Sequence, residues 1–410
     1  MRRTVVGSAV LTLVLAAAGC GAQGGDGKGG ATSASGSPTA SSQTAAAAGP
    51  AWAYDHVEDG SAEMLDLAAA AEDDIWAAGF ELNSDSGDSS DSSAGHGRFL
   101  RHFDGTRWRR SPMPAVLGDS VYNARLDSVG SGEIWLTASS PDGTRLKTAH
   151  WDGESWTSLA ENPTGRIGDL KAFGPDDVWV LDGQAEARHW DGSRWTTRAL
   201  PAEAASLDGT ASDDLWAVGS RDSGEGVGGE SEQYTQPAAM HWDGGSWTLV
   251  KTPVYRFDDP VPPEPSAALG KVVVVAEDDI RAYGGNGFNH GEVENEPADQ
   301  SIRLRWDGTR WTDQPEAAGE CGDRDPVTVD GTRGLFLDGN WYLAADGTCV
   351  KIKRPRLTAE DGARRSSAQS LWLTSVIPVP GTDTVLGAGH VQVNQSGDPM
   401  EKAVVVSLRR

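Results

Sequence analysis

Histidine and aspartate recur in a short phrase that contains the side chains needed for proton transfer or metal binding. The phrase His-Trp-Asp-Gly-x-x-Trp stands at His150–Trp156, His189–Trp195 and His241–Trp247, and variant copies begin at His102 and Arg305. Histidine and carboxylates are common acids, bases and metal ligands, and tryptophan rings can stack on other rings. A catalytic or metal-binding histidine would not need copies throughout the chain, and Arg305 replaces it in one copy. We therefore predict structural hydrogen bonding for the histidines and packing between sheets for the tryptophans.

Residues that depart from the repeat are better candidates for a binding site. Arg281 takes the place of a repeated tryptophan, and a nearby insertion rich in Gly and Asn contains Phe288 and His290. An aromatic side chain in such a loop has no obvious core to fill, although covering the end of the fold would also explain it. We predict a ligand-binding site at Arg281, Tyr283, Phe288 and His290, with no catalytic residue, metal or cofactor.

These residues must be positioned by a repeated unit of four short strands, named a to d in chain order. An acidic residue, an apolar residue and a tryptophan precede four of the five phrases, as in Asp177-Val178-Trp179. The β-branched and aromatic run Val178–Leu181 predicts a strand, and Asp191-Gly192 predicts a tight hairpin turn. Four antiparallel strands in a unit of this length are typical of one blade of a β-propeller.

Seven such units can be followed along the chain, although the sixth is degenerate and the seventh lacks its last strand. The segment Ala51–Val57 precedes the first unit and has the pattern of the missing strand. We predict an all-β, seven-bladed β-propeller of four-stranded antiparallel blades, the last closed by the N-terminal strand. Such closure removes an exposed sheet edge. Six blades is the alternative, because the sixth unit is weak.

The layout of residues 51–410 resembles bacterial secreted β-propellers with Trp-rich repeats, in the neighbourhood of kelch and galactose-oxidase-like propellers. The Asp-Gly-x-x-Trp turn also resembles the Asp-box of sialidases, but that pattern has a residue between Asp and Gly. Copper-radical oxidation of the galactose-oxidase kind would require a cysteine free to crosslink to a tyrosine. The resemblance therefore implies a fold and a secreted location, and no activity.

Residues 1–20 predict a secretory signal. Arg2 and Arg3 precede the apolar stretch Val5–Ala18, which is too short for a permanent membrane span. Ala17-Ala18-Gly19-Cys20 resembles the lipobox of bacterial lipoproteins, so we expect a lipid such as palmitate on Cys20. Ordinary signal cleavage near Ala22 is the alternative.

Composition limits the partners and the compartment. Residues 21–50 are mostly small or polar and predict a flexible tether that holds domain 51–410 outside the cytoplasmic membrane. A net charge of −25, which loss of the signal makes more negative, argues against nucleic-acid binding. Cys321 and Cys349 are an even pair in an exported chain and predict a disulfide. We expect a monomer.

Loop insertions indicate where a partner could bind. The largest lie between strands b and c, at residues 83–97, 221–237 and 286–300, and all emerge on one face of the fold. We predict a lipid-anchored, non-catalytic binding module for an envelope protein or glycan on this b–c loop face. The alternative is an extracellular polysaccharide hydrolase or lyase with carboxylates in the central channel. A cluster of acids with a basic residue inside the channel would favour that alternative.

Overall fold

Antiparallel sheets account for most of the described chain. The computed structural model describes residues 49–82, 97–118, 122–129, 132–140, 142–159, 164–182, 185–227, 232–258, 261–291, 296–315, 319–322, 324, 326–330, 332–397 and 399–409. The predicted signal, Cys20 and nearly all of the predicted tether lie outside these ranges, as does most of the insertion at 83–97. In the ranges above, no helix is long and apolar enough to cross a membrane.

The strands follow one another with the spacing of the sequence repeat. The chain enters with β1 (Ala53–Val57). Sheet I contains β2 (Ala62–Ala71), β3 (Asp74–Glu81), β4 (Arg98–Phe103) and β5 (Trp108–Ser111). Sheet II contains β6 (Tyr122–Val129), β7 (Glu133–Ser139), β8 (Leu146–Trp151) and β9 (Trp156–Ser158). Sheet III contains β10 (Asp169–Gly174), β11 (Asp177–Leu181), β12 (Glu186–Trp190) and β13 (Trp195–Ala199).

The second half of the chain contains one larger sheet and two smaller ones. Sheet IV contains β14 (Glu203–Ala211), β15 (Asp214–Val227), β16 (Glu232–Trp242), β17 (Trp247–Val250), β18 (Ser266–Ala276), β19 (Asp279–Gly287), β20 (Gln300–Trp306) and β21 (Trp311–Asp313). Sheet V contains β22 (Pro326–Val329), β23 (Leu335–Leu337), β24 (Trp341–Leu343) and β25 (Cys349–Lys351). Sheet VI contains β26 (Ala368–Pro378), β27 (Thr384–Asn394), β28 (Met400–Arg409) and the early strand β1.

The prediction of seven separate blades is wrong, and so is the alternative of six. The described strands form a β-propeller of five four-stranded antiparallel sheets and one eight-stranded sheet. The antiparallel runs β14–β17 and β18–β21 are joined into sheet IV by a parallel pair, Thr235 with Ser266. The cause is the long hairpin of β15 and β16, whose pairing extends to Val227 opposite Glu232. Most of the expected insertion at 221–237 is therefore strand, and it reaches the start of the next run.

The predicted closure by the N-terminal strand is confirmed. β1 pairs antiparallel with β28, with Ala53 opposite Ser407 and Val57 opposite Val404. Trp52 is 3% exposed in the core between sheets V and VI, and its ring nitrogen donates to the carbonyl of Gly339. The first and last strands of the ring therefore support each other, and the outer edge of β28 is covered.

The predicted disulfide is also present. Cys321, in the short 3₁₀ turn Gly319–Cys321, is bonded to Cys349 at the start of β25. The bond ties the connection between sheets IV and V to the outer strand of sheet V. This sheet has the shortest strands and the most degenerate sequence, so a covalent link compensates for its small packed area.

Candidate functional site

The repeated histidine, aspartate and tryptophan side chains form structural triads. In sheet I, the ring nitrogens of Trp76 and His102 donate to Asp74 at 2.9 and 2.8 Å, and the two rings stack with centroids 4.2 Å apart. Trp151 of sheet II donates to the other oxygen of Asp74 at 2.8 Å. These bonds hold the pKa of the Asp74 carboxyl below its usual range although burial alone would raise it. The predicted packing role of these residues is confirmed, and no free acid–base pair is left in this triad.

The same triad recurs in other sheets, and it tolerates replacement of a residue and loss of a hydrogen bond. His189 donates to Asp177 at 2.9 Å and His241 donates to Asp214 at 2.7 Å. In sheet II glutamate replaces the aspartate, and its carboxylate lies 3.9 Å from the His150 ring. His150 still stacks on Trp135, but its Nε2 makes no hydrogen bond within the described structure.

Arg281 occupies a remodelled copy of this triad. Arg281 and Arg305 stand where other units have tryptophan and histidine, and both contact Asp279, at 3.2 and 2.8 Å. Asp279 is 2% exposed, and burial would raise its pKa, but the two guanidinium groups lower it. The Trp–His stack has been replaced by an ion-pair cluster with the same anchor. Arg281 is thus engaged in holding sheet IV together.

Tyr283 lies in the core and not on a surface. Its side chain is 8% exposed and packs with Cys321, Leu335 and Trp341 between sheets IV and V. Burial raises the pKa of its hydroxyl, and Arg281 partly offsets the rise. The tyrosine therefore links the disulfide region to the Arg281 cluster.

Phe288 and His290 lie at the other end of the same strand. Phe288 packs edge-on against Phe257, with ring centroids 5.4 Å apart, which matches the prediction that it could cover the end of the fold. His290 is about half exposed, and its two ring nitrogens contact Glu296 at 2.9 Å and Asp299 at 3.1 Å. Roughly 23 Å of extended chain separates Arg281 from Phe288. The structure does not bring the four predicted residues together, and ligand binding at either pair stays a prediction.

A cavity of about 730 Å³ lies where the innermost strands meet. It is lined by the first strand of every antiparallel run, β2, β6, β10, β14, β18, β22 and β26. Neighbouring innermost strands run in the same direction, since Ser206 and Asp208 accept hydrogen bonds from Val272 and Val274 respectively. The cavity is thus the central channel of the propeller, and its charged lining residues are Asp66, Arg125, Asp127, Asp169, Lys171, Asp208 and Lys271.

The aspartates of the channel hold neighbouring sheets together. One oxygen of Asp66 accepts the amide of Leu67, and the other accepts the amide of Leu126 in sheet II, both at 2.9 Å. Asp127, Asp169 and Asp208 repeat this geometry toward the next innermost strand. Each carboxylate therefore satisfies backbone groups that would otherwise be left unpaired at the channel wall. The sequence carries this signal as one aspartate in each of four a strands, but it does not reveal the partner amides.

Cations compensate part of this negative charge. Lys171 lies 2.9 Å from Asp208, and this contact, opposed by burial, raises the pKa of the lysine. Burial raises the pKa of Asp127 to about 6, although Lys171 and the amide of Ala172 oppose the rise. The channel therefore contains the cluster of acids and bases that the sequence did not reveal, with its carboxylates already engaged as acceptors.

One mouth of the channel carries an exposed tryptophan. Trp372 is 52% exposed, whereas the b-strand residues Trp76, Trp135, Trp179 and Trp216 are 1–3% exposed. It precedes the cavity-lining Thr374 by two positions on β26, at the end where the innermost strands begin. This end also carries the loops between strands b and c, and we call it the b–c mouth. No role was predicted for Trp372 from the sequence, because it lies on the first strand of its unit and therefore outside the repeated tryptophan positions.

Comparison with known proteins adds similarities of fold at low identity. No protein-family model matches the chain, and no curated protein sequence matches it. The chain is similar to the solved structure of YCF48 from Cyanidioschyzon merolae, with 12% identity, coverage of 88% of this chain and 99% of that chain, and a TM-score of 0.47.

Two further structures show the same level of similarity. YCF48 bound to D1 peptide is 14% identical, with 90% and 99% of the two chains covered and a TM-score of 0.45. The β-propeller domain of the Trilobed protease from Pyrococcus furiosus is 10% identical, with 83% and 95% covered and a TM-score of 0.42. The propeller architecture and the site are accordingly assigned from the sheets of this chain alone.

Proposed function

We propose that this protein is a non-catalytic binding module that takes an envelope protein or glycan at its b–c mouth. The observation that carries the proposal is the exposure of Trp372, which precedes Thr374 in the lining of the cavity of about 730 Å³ by two positions. Tryptophan is strongly enriched among the residues that dominate binding energy, because it offers a large rigid surface with one polar group. The aromatic residues of the triads are buried and unavailable for this role.

The charge distribution supports recognition of a polar partner. Asp127, Lys171 and Asp208 place both signs of charge along adjacent innermost strands. A partner group that enters the cavity would meet donors and acceptors held in fixed positions by the backbone. Such preorganisation lowers the entropic cost of binding.

The binding test compares two exposed apolar residues. Wild type, Trp372→Ala and Leu249→Ala are used in envelope pull-downs and on glycan arrays; Leu249 is 45% exposed on β17, an outer strand. We expect one retained protein or glycan, a loss of affinity of about thirtyfold for Trp372→Ala, and no change for Leu249→Ala. Equal binding by the three proteins, or no retained partner, would contradict the proposal.

We also propose that the module is held at the extracytoplasmic face of a bacterial membrane by a lipid on Cys20. The signal-like residues 1–20 and the small, polar segment 21–50 support this proposal. Replacement of Cys20 by Ser should move the protein from the membrane fraction to the soluble extracytoplasmic fraction. Retention of the variant in the membrane after a high-salt wash would count against a lipid anchor.

Polysaccharide hydrolysis is the second candidate, favoured by the raised pKa of Asp127 in a cavity that also contains Lys171. A carboxyl group whose pKa is about 6 keeps its proton in mildly acidic solution and can act as a general acid there. Release of reducing ends from envelope polysaccharide by wild type, its loss in folded Asp127→Asn and its retention in Asp142→Asn would support this candidate. Asp142 is a matched control because it lies in an exposed turn.

A further inference from the structure

Three side chains from both ends of the sequence converge where the ring closes. Glu63 lies on β2 of sheet I, and His390 and Glu401 lie on β27 and β28 of sheet VI. One ligand atom of each residue lies within 4.8 Å of the other two. Nδ1 of His390 is 3.8 Å from Oε2 of Glu63. No local sequence motif connects these positions, so only the fold creates the cluster.

The polar groups of this cluster are incompletely satisfied. Carboxyl oxygens of Glu63 and Glu401 lie within 4.8 Å of each other, although both residues are acids. Nδ1 of His390 is buried and accepts or donates no hydrogen bond within the described residues. Within those residues, neither carboxylate is paired with a lysine or arginine at the cluster. Two carboxylates in contact repel each other unless a proton or a metal cation lies between them.

We propose that Glu63, His390 and Glu401 bind a divalent transition-metal cation, for which Zn²⁺ is the representative ion. One imidazole nitrogen and two carboxylate oxygens are ligands that zinc and its neighbours accept. The two negative charges of the carboxylates balance the two positive charges of the ion, so the occupied site is neutral. All three residues are partly buried, with the side chain of Glu63 26% and that of His390 16% exposed, which reduces competition from water.

The position of the cluster leaves one side of the ion open. His390 pairs across the sheet with Trp372 on one side and with Ala403 on the other, and Glu401 is two residues from Ala403. These side chains therefore share one face of sheet VI. Three protein ligands leave a fourth tetrahedral position vacant, which is the arrangement of metal sites that take an exchangeable ligand. The cation would also connect β2 to β27 and β28 across the closing seam.

His290 provides a matched comparison within the chain. It also contacts two carboxylates, Glu296 through Nδ1 and Asp299 through Nε2. These carboxylates lie on different nitrogens of the ring, so the three groups cannot converge on one ion. Its residues are more exposed than those of the proposed site, with His290 48% and Asp299 59% exposed. A histidine beside two acids is therefore not enough to propose a metal site. The proposal depends on ligand atoms that converge on one position, as those of Glu63, His390 and Glu401 do.

The test is a zinc titration of the metal-stripped protein against a chromophoric chelator. Wild type should bind one equivalent, and His390→Ala and Glu401→Gln should each lose at least tenfold in affinity, while His290→Ala keeps wild-type affinity. Co²⁺ should give visible d–d absorption in wild type that is absent in His390→Ala. Thermal unfolding without metal shows whether each variant is folded, and Zn²⁺ should raise the Tm of wild type but not of His390→Ala.

Two results would overturn the proposal. Absence of stoichiometric binding by wild type would exclude the site, and so would binding of equal strength by folded His390→Ala and wild type. Because the titration uses the metal alone, its failure would leave the proposed partner binding at the b–c mouth untouched.

Discussion

At the scale of single residues, the repeated side chains that are best suited to acid–base chemistry or metal binding instead stabilise the fold. The repeated histidines stack on tryptophan and bond to an aspartate on the neighbouring strand of the same sheet, as His189 does with Trp179 and Asp177, in keeping with the predicted structural hydrogen bonding. The replacement of tryptophan by Arg281 was visible in the sequence. Its ion pair with Asp279 was not predicted, because the second partner of Asp279, Arg305, lies on another strand. The cluster of Glu63, His390 and Glu401 could not be predicted, since Glu63 is separated from the other two residues by most of the chain.

The hydrogen bond of the triad can be tested separately from its stacking. His189→Phe keeps a ring on Trp179 but removes the donor to Asp177, so we expect a loss of about 1–2 kcal/mol in the free energy of unfolding. His150→Phe should change this free energy by less than about 0.5 kcal/mol, because Nε2 of His150 makes no hydrogen bond in the described structure. Urea unfolding measures both, and equal losses would show that the bond to Asp177 contributes nothing.

Glu58 should make stability depend on pH. Burial would raise its pKa, but the hydrogen bonds with His56 and Arg101 lower it to about 2 from 4.5. A carboxyl whose folded-state pKa is lowered stabilises the fold above the unfolded-state pKa, and this contribution is lost as the pH falls toward 2. Between about pH 5 and pH 3, wild type should lose on the order of 1–2 kcal/mol more than Glu58→Gln in urea unfolding. Parallel curves for the two proteins would contradict this assignment.

At the scale of the elements, strands and tight turns follow from local sequence, whereas contacts between units do not. The Asp-Gly turns place Gly192 at a positive φ of 84°, as the hairpin prediction required. The pattern of Ala51–Val57 was sufficient to predict the closing strand. The fusion of two strand runs into sheet IV was not predictable, because it depends on how far the β15–β16 hairpin continues and on the single pair Thr235–Ser266.

The closing strand should be essential for stability. Trp52→Ala removes a side chain that is 3% exposed, so we expect a loss of about 3–5 kcal/mol in the free energy of unfolding. Trp372→Ala is the matched control, and it should change this free energy by less than about 0.5 kcal/mol because Trp372 is half exposed. Deletion of residues 49–57 should expose the edge of β28 and cause association, measured by light scattering. A monomeric deletion variant with wild-type stability would contradict the closure.

At the scale of the whole molecule, the residues that form the repeat differ from the residues that we propose for binding. The repeat builds a ring in which Trp151 of sheet II bonds to Asp74 of sheet I and the channel aspartates bond one sheet to the next, while strand β1 completes sheet VI. The features that we propose for function lie at the b–c mouth, where Trp372 is exposed and where sheets VI and I meet. Sequence alone predicted this face from the positions of the b–c insertions. It did not predict the residues there, because exposure is a property of the assembled ring.

Photo-crosslinking in intact cells tests the central claim most directly. A photoreactive amino acid at position 372 samples the b–c mouth, and the same group at position 249 samples an equally exposed outer strand. We predict one discrete crosslinked species from position 372, absent from position 249 and from cells kept in the dark. Crosslinks from position 249 alone, or the same products from both positions, would show that the b–c mouth is not the binding surface.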